Sequence, residues 1–337
     1  APAPTGPASN ARAQLIEAAN KEGEVAVWAN TFDKAEVVLK PFKEKYPNIR
    51  VKIWDAATGD DAINKITEES KAGRISGDIF FGGEGDLVRA MVAGVLQEND
   101  WKTAGWPNQP AHKFYINYGA NPRLPAFNTN VIPIDQGPKS WEDMATDKWR
   151  TKAPVSSFSG AEVSLLLGYM WGESPNTINW AKSEKYLTDV VTNNKPKVVR
   201  GFSGPIELLV SGEYGIFLPV ASGRTILEYA IIGAPIALVP VGKTPGNTQA
   251  VGMWKNPAHP NAAKVFADWF TSEGGQLSKI QADLVFAYDP EIAKVARANQ
   301  LLAGKYKTEV VPVPSAMLTP ANVKKANDFW LKLLGVT

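Results

Sequence analysis

The sequence predicts an α/β fold divided into two lobes, and three observations support this. The chain has 337 residues, which is long for one compact core because domains cluster near ~100 to 150 residues. Three strand–loop–helix units follow one another near its start. A second alternating set follows an irregular stretch rich in proline, asparagine and aromatic residues. Such alternation is typical of a mostly parallel sheet with helices on its faces.

The first lobe begins after a helix whose apolar face, Leu15, Ile16 and Ala19, ends at Gly23. Ligands of parallel sheets bind beyond the carboxyl ends of the strands. The loops 29–32, 56–60 and 82–85 are therefore expected along one rim of the first lobe. The predicted strands are 24–28, 49–54 and 78–81, and the helices that follow them are 33–46, 60–72 and 86–93.

The second lobe is predicted to start where an irregular stretch, 101–125, gives way to extended chain at 126–131. The segment 243–247 is predicted as a turn, and strand 250–254 with helix 261–271 as a return to the first lobe. The predicted divisions are a flexible leader and N-terminal helix at 1–20, lobe 1 at 21–125 plus 245–300, and lobe 2 at 126–244 plus 301–337. The elements predicted in lobe 2 are strands 155–158, 197–199, 215–220 and 236–241, and helices 162–171, 177–192 and 206–210.

The composition excludes several classes of function. The formal charge of +2 is spread without a basic stripe, so neither nucleic acid nor an anionic membrane is indicated as a partner. The longest largely apolar stretch, 230–241, is far below the ~20 residues needed to cross a bilayer. The absence of cysteine removes disulfides, thiolate metal sites and cysteine nucleophiles.

The proline-rich opening, residues 1–9, indicates a flexible leader. It is expected either as the start of a processed mature form, with a signal peptide or lipid-bearing cysteine upstream, or as an arbitrary boundary.

Motifs for catalysis or metal binding are incomplete. His112 and His259 lie far apart and outside any cluster with metal-ligand spacing. Val88 stands where a dinucleotide fingerprint needs its third glycine. Pro205 interrupts a nucleophile elbow around Ser203, and no histidine is placed to act as its base. The sequence therefore indicates no cofactor, metal site or catalytic residues.

Short motifs spread from Lys21 to Gln276 carry a family resemblance. The motifs include KEGEV at 21–25, FNTN at 127–130, SWEDM at 140–144, GEYGI at 212–216, GAPI at 233–236 and HPNAAK at 259–264. In order and spacing they resemble the ABC-transporter solute-binding proteins of the extracellular family 1 type, in the group that binds ferric iron, phosphonates and sugar phosphates.

The resemblance implies a class II periplasmic-binding-protein fold, in which a hinge joins two α/β lobes that close on one ligand in the cleft between them. It also implies an exported monomer, periplasmic or extracellular, with or without a lipid anchor. Its partners would be a small-molecule solute and the cognate membrane permease.

The chain departs from the iron-binding members of that group at the residues that hold the metal. By resemblance, Phe32 falls at their histidine, Gly83 or Glu84 at their glutamate, and Val220 with Ala221 at their paired tyrosines. Tight ferric binding is therefore not expected.

The predicted rim instead presents hydroxyl, amide and guanidinium groups beside apolar walls, which suits a small anionic or polar organic solute of the phosphonate, phosphate ester or carboxylate type. The alternatives are a neutral sugar-like ligand, ferric iron, an enzyme on the same scaffold, or a structural or adhesive role. The predicted ligand-binding residues are Trp28, Asn30, Thr31, Phe32, Thr58, Gly83, Glu84, Ser157, Ser159, Gly160, Arg200, Phe202, Ser203, Val220, Ser222 and Arg224.

The turn at 155–161 is predicted to hold the most polar group of the ligand, because it joins a strand end to a helix start and contains Gly160. The alternative for Ser159 is a helix cap, with Glu162 completing a capping box.

Overall fold

The computed structural model of the protein describes residues 7–29, 32, 34–56, 58–99, 113–152, 154–157, 163–199, 203–272 and 274–336. The strands are Glu24–Ala29 (β1), Arg50–Asp55 (β2), Ile79–Gly83 (β3), Tyr115–Asn128 (β4), Pro154–Ser157 (β5), Lys197–Val199 (β6), Ile216–Ser222 (β7), Ile236–Leu238 (β8), Lys243–Met253 (β9), Phe286–Ala287 (β10) and Glu309–Pro312 (β11). The helices are Pro7–Glu22 (α1), Ala35–Lys45 (α2), Gly59–Lys71 (α3), Glu84–Val92 (α4), Trp141–Met144 (α5), Val163–Met170 (α6), Trp180–Asn194 (α7), Ser203–Ser211 (α8), Gly223–Ile231 (α9), Pro260–Ser272 (α10), Gly275–Asp283 (α11), Pro290–Val295 (α12), Arg297–Gln300 (α13) and Pro320–Leu334 (α14).

The chain forms two compact units. Unit 1 comprises residues 1–119, 249–283 and 288–292, and unit 2 comprises residues 120–248, 284–287 and 293–337. Strands β4 and β9 each contribute residues to both units. None of the helices within the described ranges is both long and apolar enough to span a membrane.

Unit 1 contains a sheet in the order β2-β1-β3-β9. The β1 strand pairs in parallel with both β2 and β3, whereas β3 pairs antiparallel with residues 249–253 of β9. Helices α3 and α10 pack on β1. An aromatic core joins α2, β3 and α10, with ring centroids 5.1 Å apart for Phe42 and Phe266 and 4.9 Å apart for Phe81 and Phe270. The three strand–helix units predicted from the sequence are all present.

Unit 2 contains a sheet in which β5 pairs in parallel with β6 and β7, and β4 pairs antiparallel with β7 and β8. Helix α7 packs against α6 and α14, and α8 packs against β5, β7 and α9. Trp149 and Trp330 are fully buried in its core. Both units are therefore α/β, as the sequence predicts.

Helix α1 contacts α10 through polar interactions at two places. Arg12 pairs with Asp268. The Glu22 carboxylate accepts hydrogen bonds from the backbone nitrogens of Asn261, at 3.0 Å, and Ala262, at 2.7 Å. Glu22 therefore satisfies donors at the start of a helix almost 240 residues further along the chain.

Two predictions of irregular chain were wrong. The stretch 101–125 was expected to be irregular, but β4 begins at Tyr115; residues 101–112 lie outside the described residues. The segment 243–247 was expected to be a turn, but it is the first part of β9. Prolines and glycines in both segments suggested turns. The strand accommodates Pro125 because the β4–β7 register shifts between Leu124 and Ala126, and bulges are where strands tolerate proline.

Candidate functional site

The unit 1 rim consists of the carboxyl ends of β1, β2 and β3 with the starts of α2, α3 and α4. Parallel pairing sets Ala29 beside Asp55 on one side and beside Phe81 on the other. The three strands therefore end at the same edge, where the sequence predicts ligand-binding loops. The predicted ligands Asn30 and Thr31 lie outside the described residues.

Two predicted apolar walls, Trp28 and Phe32, lie in the core of unit 1. Trp28 is 2% exposed, and its ring lies 4.4 Å from that of Trp54. Phe32 is 5% exposed, lies 5.2 Å from the ring of Phe81, and has the Lys279 ammonium 4.2 Å from its ring centroid. Their part in ligand binding stays a prediction, and their burial leaves little surface for a solute to stack on.

Thr58 caps helix α3. Its hydroxyl oxygen accepts a hydrogen bond from the Asp61 backbone nitrogen at 3.2 Å and donates to the Asp61 carboxylate at 2.8 Å. Such N-caps satisfy backbone donors that a helix start leaves without partners. The local role of Thr58 in the structure is thus capping.

A carboxylate also caps the start of α4. Asp86 accepts a hydrogen bond from the backbone nitrogen of Gly83 at 3.0 Å. Arg89 bridges Asp86, at 2.5 Å, and Asp60, at 3.0 Å. A side chain at Gly59 would place its Cβ 2.2 Å from the Asp86 carboxyl carbon, so glycine permits this approach. In the unit 1 rim, a hydroxyl therefore caps α3 and a carboxylate caps α4.

Glu84 is fully buried at the first position of α4. Its Oε1 accepts hydrogen bonds from Asn117 Nδ2 at 2.7 Å and from the Tyr115 hydroxyl at 3.3 Å. The sequence predicted Glu84 as a site residue but missed Asn117, because β4 was expected to begin later.

The unit 2 rim consists of the carboxyl ends of β5, β6 and β7 with the starts of α6, α8 and α9. Asn121, which the sequence analysis missed, organises the start of α9. Its Nδ2 donates to Ser222 Oγ at 3.1 Å, and its Oδ1 accepts from the Arg224 backbone nitrogen at 3.1 Å. The side chain of Ser222 makes no capping bond to α9, so Asn121 caps that helix from a neighbouring strand. This arrangement brings Ser222 and Arg224 together.

The remaining predicted residues of unit 2 are placed only in part. Val220 lies partly buried in β7 and packs against the core. Ser157 ends β5 and Ser203 begins α8. The predicted ligands Ser159, Gly160, Arg200 and Phe202 lie outside the described residues, as does most of the predicted 155–161 turn.

The two rims differ in charge at the helix starts. In unit 2, the described first turns of α6, α8 and α9 contain no acidic residue, and Arg224 lies in the first turn of α9. The first turns of α2, α3 and α4 in unit 1 contain Glu36, Asp60, Asp61, Glu84 and Asp86.

Within the described ranges, no three carboxylate or histidine side chains lie close enough together to hold a metal ion. His259 instead donates its backbone N–H to Asp78 Oδ1 at 2.7 Å, and its Nδ1 lies 2.8 Å from Asp78 Oδ2. His112 lies outside the described residues.

Solved structures with the same fold are ABC-transporter and periplasmic binding proteins. The substrate-binding protein of an ABC transporter from Agrobacterium tumefaciens superposes with a TM-score of 0.75, at 16% identity, over 94% of this chain and 96% of that one. AfuA from Actinobacillus pleuropneumoniae, solved with fructose-6-phosphate, gives 0.72 at 15% identity, over 94% and 99%. Iron-bound HitA from Pseudomonas aeruginosa gives 0.70 at 17% identity, over 92% and 99%.

These likenesses establish the α/β fold of periplasmic binding proteins. A search of curated proteins finds no significant match. The family model described as bacterial extracellular solute-binding protein matches residues 38–304, which is more than half of the chain. The chain belongs to the family of bacterial extracellular solute-binding proteins.

Proposed function

We propose that this solute-binding component of an ABC transporter captures a small polar organic solute with an anionic group, of the phosphonate, phosphate ester or carboxylate type. Solute-binding proteins of this kind deliver small molecules to a membrane permease. The observation that carries the proposal is the unit 2 rim, where the described first turns of α6, α8 and α9 contain no acidic residue and that of α9 contains Arg224.

The physical argument is electrostatic. Helix N-termini carry a partial positive charge and unpaired backbone N–H groups, so they attract anions. In unit 1 the side chains of Thr58 and Asp86 take up such donors. In unit 2 the cap of α9 is the neutral Asn121 amide, which adds no negative charge to a first turn that contains Arg224. Unit 2 therefore suits the anionic group better.

We also propose that binding closes lobe 1 (21–125 plus 245–300) on lobe 2 (126–244 plus 301–337), as the family resemblance implies. Small-angle scattering with and without a proven ligand should then show a smaller radius of gyration on binding, together with a change in tryptophan emission. An unchanged radius, with an apo form proven open, would contradict hinge closure.

The alternatives have less support. A neutral sugar stacked on Trp28 and Phe32 needs two ring faces that the core of unit 1 already covers. Ferric iron needs anionic oxygens that Phe32, Val220 and Ala221 do not supply. A micromolar or tighter ferric complex with a tyrosinate charge-transfer band would overturn our proposal. Turnover of a tightly bound ligand would instead support an enzyme.

The experiment that tests the solute class is mass spectrometry of small molecules retained by the purified protein. Melting curves with phosphonates, phosphate esters, carboxylates and neutral sugars would follow. We expect the retained solute to be anionic, and anions to raise the melting temperature. Stabilisation by neutral sugars alone would contradict the proposal.

The family implies export from the cytoplasm. A monomeric state and the presence of a lipid anchor are further proposals. Light scattering of the purified protein tests the first, and mass spectrometry of the protein from its native membrane fraction tests the second.

A further inference from the structure

A buried polar cluster in unit 1 joins the end of β3 to the start of β4. Asn117 is 8% exposed, Glu84 is 0% exposed and Tyr115 is 2% exposed. Asn117 Nδ2 and the Tyr115 hydroxyl donate to the same carboxylate oxygen, Glu84 Oε1.

The contact with Glu84 fixes the orientation of the Asn117 amide. Asn117 Nδ2 donates to Glu84 Oε1 at 2.7 Å, so the amide nitrogen faces Glu84 and the amide oxygen points away from this contact. Asn117 Oδ1 is buried and has no hydrogen-bond partner within the described part of the chain. Buried acceptors of this kind are rare, because leaving one without a donor costs stability.

The position of Asn117 distinguishes it from a similar residue in unit 2. Asn194 is also buried, donates its Nδ2 to the carbonyl oxygens of Met144 and Val190, and has an Oδ1 without a partner among the described residues. However, Asn194 ends α7, just before β6 starts, and so lies at the amino edge of its sheet. Asn117 contacts the residue that follows β3, at the carboxyl edge where α/β sheets bind ligands.

We propose that Asn117 Oδ1 accepts a hydrogen bond from a hydroxyl or amine group of the solute. This inference rests on the proposed function and narrows its solute class. The solute is then a hydroxylated or aminated anion, and a bare oxyanion or an anion with only acceptor groups is disfavoured. The acidic first turns of the unit 1 rim suit such a donor group.

The test compares solutes that differ by one hydroxyl group. Calorimetric titration of the full chain with glycerol 3-phosphate against propyl phosphate, and with lactate against propionate, should show about tenfold tighter binding of a hydroxylated member. Equal affinity for the two members of a pair that binds would overturn this inference but not the anionic solute class. That result is expected if a bound water, and not the solute, donates a hydrogen bond to Asn117 Oδ1. If neither pair binds, this inference fails, whereas the anionic class is decided separately by the retained solute and the melting curves.

Two matched variants test whether Asn117 is responsible for the preference for hydroxylated solutes. Asn117→Leu should reduce the preference for the hydroxylated member to about twofold or less, whereas Asn194→Leu should keep it. If Asn117→Leu does not fold, Asn117→Ser serves instead, because its shorter side chain cannot reach the same position. A full preference in a folded Asn117 variant would overturn the assignment.

Discussion

The rims of the two units have the same strand-and-helix plan but different charged residues at their helix starts. The unit 1 rim has acidic first turns, and one of its acids, Asp86, accepts a hydrogen bond from the nitrogen of Gly83. The unit 2 rim caps α9 with the neutral amide of Asn121 and keeps Arg224 in the first turn. Our proposals assign hydrogen-bond donors of the solute to the unit 1 rim and its anionic group to the unit 2 rim, and the side chains at the helix starts make this difference.

The largest expected effect comes from making the unit 2 rim resemble the unit 1 rim. Arg224→Glu places a carboxylate in the first turn of α9 and should weaken binding of an anionic solute about 100-fold, since charged hydrogen bonds contribute ~1.5 to 3 kcal/mol. The measurement is calorimetric titration with the retained solute. Lys197→Glu is the control, because it changes the net charge equally at the exposed start of β6. Equal losses in both variants would indicate a nonspecific charge effect.

The next effect concerns the serines of the predicted 155–161 turn. If they bind the solute, Ser157→Ala and Ser159→Ala should each lose ~1 to 3 kcal/mol of binding free energy with a smaller change in melting temperature. If Ser159 only caps α6, its variant should lose ~0.5 to 2 kcal/mol of stability and keep its affinity. Wild-type affinity in both variants would refute the anion site at this turn.

A smaller effect is expected for the capping acid of unit 1. Asp86→Ala removes the acceptor for Gly83 and one partner of Arg89, and should lower the free energy of unfolding by ~1 to 2 kcal/mol. Affinity for the anion should change little, because the unit 1 rim is assigned to donor groups. Denaturant unfolding and titration of one preparation measure both quantities. A large loss of anion affinity would contradict our assignment of the anionic group to the unit 2 rim.

The smallest expected effect concerns Tyr186, which lies in the core of unit 2 and not on its rim. Burial, together with the charge of Glu142, raises the pKa of Tyr186 well above its ordinary value of 10. Because the unfolded chain loses this proton near pH 10 and the folded chain keeps it, stability should fall above pH 10, by at most about 1.4 kcal/mol per pH unit. Tyr186→Phe should abolish this component. Its stability at pH 7 should change by under ~1 kcal/mol, since the buried hydroxyl has no partner among the described residues. Identical alkaline unfolding of both proteins would contradict the pKa shift.

The sequence predicted the elements whose signals are local. Thr58 with Asp60 and Asp61 marks the start of α3, and the predicted strand 197–199 matches β6. Helix α9 was missed although its apolar residues Ile226 and Leu227 are buried, and the side chain that caps it, Asn121, comes from a strand about 100 residues earlier and could not be foreseen.

The candidate site was harder to predict than the fold. The rim position of three loops followed from parallel strands, but which side chains face a solute depends on tertiary packing. Trp28 ends the same strand that leads to the rim, yet its ring packs between Trp54 and Trp254. Asn117 could not be found because its significance arises only from its contact with Glu84.

The pairing of β3 with the last residues of β9 has a consequence for how the chain folds. Residues 79–83 pair with residues 249–253, so the sheet of unit 1 stays incomplete until most of the chain has been made. The helix that packs on β1 and is capped by Glu22 comes later still, at Pro260–Ser272. Contacts between such distant segments slow folding. The unit that begins first along the chain therefore finishes after most of unit 2 is available, and β3 lacks its β9 partner until that point in synthesis.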